Sequence, residues 1–445
     1  MRIEIKEKKL FKNLIKENFD FDININRINS ICTDSRIVEK NDIFIPIKGE
    51  NTDGHKFIND VIKKDASIIF SELLFNNSKV IKVNSTKETL TNLSIQWIKF
   101  FKKPIIAITG SNGKTTTKEM IRKIFSSINK TNYTFGNYNS SVGLPINLFN
   151  FSLSSESIVL EMGANNPGEI DYLCQIAKPD YSLITNIQNA HIGNFKSIKD
   201  LIKTKISIFK NTNCDGMIFE NLDDIHISDM CQNFSNKVQF SFNDKKADFF
   251  GSMKIINNKI NFYINGAKIE NSNINEIMAK NMLAAYSIAY TYGIDHEIIK
   301  NEFKKFNFLN GRGNHIHNNG YLIVDDTYNA NIDSFKIGID SFLTINCKGR
   351  KFLIIGDMKE LGNKTISYHS ELGEYINNQR IDFVFGIGKD IKNTINKINN
   401  SQIYSRHFKN NKDLVSFLKI QLKKEDAIYL KASRSMHFEN IIEKL

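Results

Sequence analysis

A glycine-rich stretch at residues 107–117, AITGSNGKTTT, carries residue types that suit phosphate chemistry. Its glycines allow backbone N–H groups to approach an anion, and the positive end of a following helix faces the same point. Lys114 is placed to reach the β- and γ-phosphates of a nucleotide, and the Thr115 hydroxyl to hold Mg²⁺. The usual template has a glycine where Ile108 stands. The stretch predicts a shortened phosphate-binding loop, TGxxGKT, over Thr109, Gly110, Ser111, Asn112, Gly113, Lys114 and Thr115.

Three predicted strands bring polar groups to this loop. The apolar run at 105–108 is typical of a buried parallel strand, and residues 114–128 show the periodicity of an amphipathic helix. A second strand at 157–162 ends in Glu161, and a third at 181–187 leads to His191. Because ligand sites of open α/β sheets lie at the carboxyl ends of strands, these groups are expected to converge. A carboxylate at that edge is suited to Mg²⁺.

Length and composition predict a multidomain globular protein. With 445 residues, the chain is long enough for three domains of about 150 residues. The first twenty residues alternate charged and apolar types, and no run approaches membrane-spanning length, so a cytoplasmic protein is expected. Five cysteines lie far apart without a CxxC pair, which favours free thiols.

The net charge of +12 does not come from a localised basic patch. Lysine, asparagine and isoleucine are abundant throughout the chain, and no basic run is interleaved with aromatic residues. Nucleic-acid binding is therefore not expected. Small polyanionic substrates agree equally well with the charge.

The chain divides into three predicted domains, at 1–100, 101–310 and 311–445. In the first, residues 43–47 alternate as a strand, and the preceding polar loop could bind a diphosphate or nucleoside, although a solvated turn is the commoner meaning. The second contains a predicted hairpin at 249–265 and a helix at 275–292. The third repeats strand and helix, as a doubly wound parallel sheet does. Its predicted strands are 321–324, 352–355, 383–385 and 428–430.

The motifs, taken in order, resemble those of the Mur ligase family. They include TDSR (33–36), GENTDGHKF (49–57), TGSNGKTTTKEM (109–120), GNYN (136–139), EMGANNPGEI (161–170), TNIQNAH (185–191), DDTYNAN (325–331), GDMKELG (356–362) and KASR (431–434). The resemblance implies an α/β protein of three domains: a small α/β N-terminal domain, a central P-loop parallel-sheet ATPase domain and a C-terminal doubly wound Rossmann-like domain. The chain departs from the family pattern at Ser140, Ile277, Met278, Ile332 and Ala432.

The resemblance also implies an activity. Such ligases form an amide from a carboxylate with ATP and Mg²⁺, through an acyl phosphate. Within the family, TGSNGKTTTKEM and DDTYNAN point to a member that joins D-alanyl-D-alanine to UDP-N-acetylmuramoyl-tripeptide. A ligase that adds the third peptide residue and a folylpolyglutamate synthase are the alternatives. A P-loop kinase or GTPase switch is less favoured, because residues 129–132, NKTN, fall short of the guanine motif. The expected partners are small molecules, with no nucleic acid and no membrane span, and the expected state is a monomer.

Residue roles follow from the same resemblance. Asp325 and Asp326 follow a strand, so turn capping is the alternative to ligand binding for both. The implied catalytic residues are Lys114, His191, Lys205 and Arg312. Asn281, Arg312 and Asp325 join the loop 109–115 in nucleotide binding. The implied substrate residues are Thr33, Asp34, Ser35, Arg36, Asn137, Asp326, Tyr328, Asn329 and Asn331, and the implied metal ligands are Thr115, Glu161, His191 and Lys205.

Lys205 departs from the periodicity of its predicted helix. Ser197 begins the helix as an N-cap, and Lys205 falls at the centre of the apolar stripe that follows. A buried stem with an ammonium led to water is the ordinary explanation. Mur ligases carry in this place a lysine carbamylated by CO₂, which replaces the positive charge by an anion. The resemblance therefore implies that Lys205 and His191 complete a second Mg²⁺ site.

Overall fold

A computed structural model describes residues 1–49, 52–188, 192–256, 259–271 and 274–445. Within these ranges the chain forms three β-sheets, one after another along the sequence, with helices between their strands. The sequence prediction of a three-domain α/β fold is confirmed. None of the helices in the described ranges is both long and apolar enough to span a membrane.

The first sheet has five strands in the described residues, with β1 antiparallel to β2 and the others parallel. The strand predicted at 43–47 is only two residues long. Ile43 and Ile45 lie in one hydrophobic core, with Ile47 packed against it, whereas Phe44 lies in the core on the other face of the sheet, so the expected alternation holds. Phe44 is apolar as well because the sheet is covered on both faces. The elements, in chain order, are β1 (Arg2–Glu4), α1 (Lys8–Phe19), β2 (Ser30–Cys32), β3 (Ile43–Phe44), α2 (Ile58–Lys63), β4 (Ile68–Ser71), β5 (Val80–Lys82) and α3 (Thr86–Ile98).

The central sheet contains nine strands in the described residues, and seven of them run parallel. The predicted hairpin is present, extended by a third antiparallel strand. The strand order of the central sheet is β14-β13-β12-β11-β10-β9-β6-β8-β7. The strands are β6 (Ile105–Thr109), β7 (Thr131–Tyr133), β8 (Ser157–Glu161), β9 (Tyr181–Ile184), β10 (Met217–Asn221), β11 (Lys237–Ser241), β12 (Phe249–Ile256), β13 (Lys259–Ile264) and β14 (Ala267–Ile269). The helices are α4 (Lys114–Ser126), α5 (Gly143–Leu148), α6 (Glu169–Ile176), α7 (Ile198–Lys210), α8 (Ile225–Met230), α9 (Glu276–Thr291) and α10 (His296–Lys305).

The third sheet has six strands in the described residues, parallel except at one edge. Its order is β15-β16-β20-β17-β18-β19. The strands are β15 (Asn314–Asn318), β16 (Tyr321–Asp325), β17 (Lys351–Gly356), β18 (Phe383–Ile387), β19 (Tyr404–Phe408) and β20 (Ala427–Lys431). The helices are α11 (Ile332–Leu343), α12 (Thr365–Ile376), α13 (Lys392–Lys397), α14 (Asn411–Gln421) and α15 (Glu439–Ile442).

Strand β6 is apolar throughout because both of its faces are buried. Ile105 and Ala107 pack into a core that continues into the first domain, whereas Ile106 and Ile108 pack under α4 and α9. A strand covered by helices on both sides reads as a continuous apolar run. Its carboxyl end is therefore fixed in position, and the phosphate loop begins there.

Candidate functional site

A cavity of about 500 Å³ lies between the central and C-terminal domains. It opens at the carboxyl ends of β6, β8 and β16, where ligands of open α/β sheets bind. Many of the predicted site residues line it, from both domains. They are Ser111, Asn112, Gly113, Lys114, Thr115, Asn137, Glu161, Asn281, Arg312, Asp326, Tyr328, Asn329 and Asn331.

The loop between β6 and α4 requires both of its glycines. Gly110 and Gly113 have φ values of 148° and 81°, which favour glycine. A Cβ atom at 110 would lie 2.0 Å from the Thr185 hydroxyl, and one at 113 would lie 2.5 Å from the Asn281 amide oxygen. The close approach of Asn281 places α9 directly against the loop.

The segment after β9 holds the loop in shape. Ser111 donates its backbone N–H to the Asn186 carbonyl at 2.8 Å, and its hydroxyl to the Gln188 carbonyl at 2.9 Å. The Asn186 amide oxygen accepts from the backbone N–H of Asn112 at 3.0 Å. The sequence indicated this segment as a motif, but did not predict that residues 185–188 support the phosphate loop.

Two lysines meet at one carbonyl of the loop. Lys114 donates to the Gly110 oxygen at 2.7 Å and to the Ser111 oxygen at 3.0 Å, and Lys205 donates to the same Gly110 oxygen at 3.0 Å. Burial lowers the pKa of Lys114 to about 8, opposed by Glu161 and assisted by Arg312. Burial, and secondly the Lys114 charge, lowers the pKa of Lys205 well below its ordinary value. Lys205 is 2% exposed, so its ammonium is not led to water.

Glu161 offers an oxygen without a protein donor. Its Oε1 accepts from the Asn139 amide at 2.6 Å, whereas Oε2 is buried and has no hydrogen-bond partner in the described part of the chain. Buried polar atoms are nearly always satisfied, and a carboxylate oxygen is a preferred ligand of Mg²⁺. Asn139, which orients Glu161, lies in the GNYN motif but was not among the predicted site residues.

The remaining metal ligands stay predictions. His191 lies outside the described residues. Over the described ranges, no three His, Cys, Asp or Glu side chains group as a metal site. The Glu161 oxygen and the nearby Thr115 hydroxyl in the same cavity are the observed features that suit a cation.

The C-terminal domain contacts the phosphate loop directly. Arg312 donates to the Thr115 hydroxyl at 2.9 Å, with its guanidinium 3.8 Å from the centre of the Tyr328 ring. Asn331 donates from its amide to the Asn112 side-chain oxygen at 3.0 Å. Charged and polar groups from this domain therefore lie where a bound phosphate chain would lie.

The two predicted aspartates differ in their surroundings. Asp325 is 7% exposed and accepts from the Gly311 N–H at 2.9 Å and from the Thr327 hydroxyl at 2.6 Å. The Thr327 contact is the turn capping considered as the alternative to ligand binding, and the role of Asp325 in nucleotide binding stays a prediction. Asp326 lines the cavity and accepts from Lys431 at 2.6 Å. Lys431 begins the KASR motif, but it was not among the predicted site residues.

The TDSR residues lie in the first domain, and none of these described residues lines the cavity. Arg36 binds the Asp34 carboxylate through two nitrogens, at 2.8 and 2.7 Å, and thereby lowers the pKa of Asp34 to about 2. Lys64 donates to the Ser35 carbonyl at 2.7 Å, and the Thr33 hydroxyl accepts from the N-terminal ammonium at 3.3 Å. The Arg36 side chain is 85% exposed and therefore accessible to a ligand.

Comparisons with known proteins identify family models and relatives that this chain resembles. Three family models match: the Mur ligase family catalytic domain at 27–102, the Mur ligase middle domain at 108–289 and the Mur ligase glutamate ligase domain at 311–434. The UDP-N-acetylmuramoyl-tripeptide–D-alanyl-D-alanine ligase of Buchnera aphidicola subsp. Baizongia pistaciae is 34% identical over 94% of this chain and 92% of its own. The ligase of the same name from Bacillus subtilis is 30% identical over 94% of this chain and 93% of its own.

Solved structures of MurF ligases are also similar to this chain. The MurF ligase from Thermotoga maritima, crystallised in complex with ADP, is 28% identical with a TM-score of 0.83, over 93% of this chain and 96% of that one. MurF from Acinetobacter baumannii is 25% identical with a TM-score of 0.87, over 98% of both chains. Because the three family models together match most of the chain, and a relative 34% identical is matched along almost its whole length, this protein belongs to the Mur ligase family.

Proposed function

We propose that this chain joins D-alanyl-D-alanine to UDP-N-acetylmuramoyl-tripeptide with ATP, a step in peptidoglycan precursor synthesis. The observation that carries the proposal is the shared cavity, where the phosphate loop of the central domain faces Arg312 of the C-terminal domain. Full-length relatives named for this reaction support the substrates. The ADP complex of the Thermotoga maritima enzyme supports the nucleotide.

The residues suit transfer of a phosphoryl group to a carboxylate. The tripeptide carboxylate attacks the γ-phosphate of ATP, which releases ADP and forms an acyl phosphate. The amine of D-alanyl-D-alanine then attacks the acyl carbon, phosphate leaves and the amine loses a proton. Such transfer depends on positioning and on neutralising charge more than on covalent help. Lys114 and the backbone N–H groups at the start of α4 provide that neutralisation.

Mg²⁺ is part of the proposal. Glu161 and Thr115 would hold one ion, and His191 and a carbamylated Lys205 would hold a second. The free oxygen of Glu161 is the observed feature that fits such an ion. Bound Mg²⁺ neutralises charge on the transferring phosphates.

Residues of the cavity wall complete the substrate contacts. We assign Asn281 and Arg312 to nucleotide binding. Asn137, Tyr328, Asn329 and Asn331 are assigned to binding of the substrates that react with the nucleotide. The location in the cytoplasm, where ATP and nucleotide-linked precursors are available, and a monomeric state belong to the same proposal.

Phosphate release tests the reaction. Release of phosphate from ATP is expected only when UDP-N-acetylmuramoyl-tripeptide and D-alanyl-D-alanine are both present, because the acyl phosphate needs an amine to turn over. Mass spectrometry should detect the UDP-linked pentapeptide. A matched reaction with the UDP-linked dipeptide and a single diamino acid tests the alternative ligase. Turnover in that reaction, without turnover in the first, would contradict the proposed substrates.

The first domain is proposed to bind the UDP end of the substrate through the TDSR loop. Arg36→Ala should raise the KM for the UDP-tripeptide roughly tenfold, because an exposed guanidinium that binds a phosphate is lost. The KM for ATP should stay nearly unchanged. Arg27→Ala is the matched control, since Arg27 also pairs with an aspartate of this domain, Asp65. A selective rise in the KM for ATP would contradict this assignment.

A further inference from the structure

Lys118, on helix α4, is a fully buried lysine that does not line the cavity. Its ammonium donates to the Thr134 carbonyl at 2.8 Å and to the Glu119 carboxylate at 2.6 Å. Lysine is almost never fully buried unless it is paired, because removing an ammonium from water is costly. The two acceptors therefore indicate what this lysine does.

Glu119 does not by itself require Lys118. The other oxygen of Glu119, Oε2, accepts from Arg122 at 2.6 Å, so this carboxylate keeps a charged partner when Lys118 is removed. The Thr134 carbonyl, in contrast, loses an ammonium donor. The contact with Thr134 is therefore the one that connects Lys118 to the rest of the central domain.

Thr134 connects α4 to the strand that ends in Glu161. It is fully buried and follows directly after β7. Its backbone N–H donates to the Val159 carbonyl at 3.1 Å, and its hydroxyl oxygen accepts from the backbone N–H of Glu161 at 2.8 Å. Because its carbonyl accepts from Lys118, all three polar groups of Thr134 bind either α4 or β8.

The segment that begins at Thr134 contacts Glu161 a second time, through Asn139. The Asn139 amide donates to Oε1 of Glu161 at 2.6 Å, and the Asn139 carbonyl accepts from the backbone N–H of Gly163 at 2.8 Å. A Cβ atom at 163 would lie 2.9 Å from the Asn139 amide oxygen, so the two segments approach closely. Residues 134–139 thus hold both the backbone and one oxygen of Glu161, and leave Oε2 for a cation.

The phosphate loop continues into the helix that carries Lys118. Thr115 lies three residues before Lys118 on α4, or about 4.5 Å along the helix axis. The bond from Lys118 to Thr134 therefore also sets how far Glu161 lies from the Thr115 hydroxyl. Mg²⁺ requires near-ideal octahedral geometry, so its affinity depends on the spacing of these two groups.

We propose that Lys118 and Thr134 are positioning residues of the Mg²⁺ site. Lys118 joins α4 to residues 134–139, and Thr134 and Asn139 together hold Glu161 so that its Oε2 can bind the ion that Thr115 also binds. This inference rests on the proposed function, because the ion is the one that accompanies ATP. It assigns a role to two residues that do not line the cavity.

Thr134→Val tests the proposal with the least disturbance, because valine keeps the branched side chain and removes only the hydroxyl that binds the Glu161 N–H. The measurement is the Kd of Mn²⁺ for the full-length enzyme with saturating ADP, from the EPR signal of free Mn²⁺ and corrected for Mn²⁺ bound to ADP alone. We expect this Kd to rise about tenfold, as it does when the groups that orient metal ligands are removed. Thr134→Ser retains the hydroxyl and should bind Mn²⁺ as wild type does.

Lys118→Met is the second test, and it leaves Glu119 paired with Arg122. Its Kd for Mn²⁺ should also rise about tenfold. The Kd of ADP in EDTA, measured by calorimetry, should stay within twofold of that of wild type for Lys118→Met and for Thr134→Val. The Mg²⁺ concentration that gives half-maximal ligation should increase by the same factor as the Kd of Mn²⁺.

Arg122→Ala is the matched control. Arg122 binds the same carboxylate, of Glu119, and lies 4.7 Å from the centre of the Tyr133 ring, but within the described ranges it makes no hydrogen bond to Thr134 or Glu161. Its Kd for Mn²⁺ should equal that of wild type, and an equal loss in this variant would overturn the proposal.

Three further results would contradict the positioning role. They are an unchanged Mn²⁺ affinity in Thr134→Val, an equal weakening of metal-free ADP, which would show a merely structural role, and a wild-type enzyme that binds no Mn²⁺ with ADP. If Lys118→Met does not fold, the comparison of Thr134→Val with Thr134→Ser still decides. Because metal binding needs no acceptor, a failure of the proposed ligation appears separately, in the wild-type phosphate release.

Discussion

Replacement of Lys114 by alanine is expected to slow ATP-dependent ligation by about 10²–10³-fold. Its ammonium lies at the start of α4, where charge develops on the transferring phosphate, and it also holds the Gly110 and Ser111 carbonyls. Burial lowers its pKa to about 8, so at neutral pH it is charged and ready to meet an anion. Single-turnover phosphate release should detect the loss in the chemical step.

The fold should survive this change, because alanine is a good helix former and leaves no charge to bury. The melting temperature of Lys114→Ala should stay within a few degrees of that of wild type. Lys123→Ala, further along α4 and in contact with the Phe306 ring, is the matched control and should remain active. Ligation by Lys114→Ala within threefold of wild type would contradict the assignment.

Replacement of Lys205 by alanine should leave almost no ligation activity, a loss of at least about 10²-fold. The lysine is buried beside Lys114 with a strongly lowered pKa, which favours the neutral amine. A neutral amine adds to CO₂ through a new N–C bond and releases a proton, which gives a carbamate. We propose that this anion replaces a costly buried ammonium and binds Mg²⁺.

Two readouts separate this role from simple packing. Formate or acetate should partly restore activity to Lys205→Ala, because a small carboxylate can occupy the vacated space. ¹³C NMR of the protein in labelled bicarbonate should show one carbamate signal that Lys205→Ala lacks. Lys203→Ala, two residues away on the exposed face of α7, is the matched control and should keep both activity and signal. A fully active Lys205→Ala enzyme would exclude the proposed role.

The sequence predicted the buried parallel strands β6, β8, β9, β16, β17, β18 and β20, because their apolar runs are continuous, but it did not predict β4 or β10. It missed edge strands, whose residues follow no such pattern. β15, with the sequence NHIHN, pairs antiparallel at one edge of the third sheet, and β19, YSRHF, forms the other edge. Polar side chains suit an edge open to solvent, so neither segment differs clearly from a loop in sequence alone.

The phosphate loop was predictable because its chemistry is local in sequence. Lys205 was also recognisable, since a lysine inside an apolar stripe departs from the period of its own helix. The contacts of Tyr429 and Lys431 with Asp326 were not predictable, because they join residues about a hundred positions apart. The family pattern has proline where Ile332 stands, and Ile332 begins α11. Proline is tolerated at that helical position, so another residue can replace it without changing the helix start.

The Asn331 side chain contacts both helix α11 and the phosphate loop. Its Oδ1 caps α11 by accepting from the Ser334 N–H at 2.8 Å, and its amide group donates to Asn112 of the phosphate loop at 3.0 Å. A nucleotide that changes the loop conformation therefore also changes the free energy with which the C-terminal domain docks. By thermodynamic reciprocity, docking must change the affinity for the nucleotide by the same factor. Affinity for ATP and docking of the C-terminal domain are accordingly coupled in this chain, through the Asn331 amide together with the contact of Arg312 with Thr115.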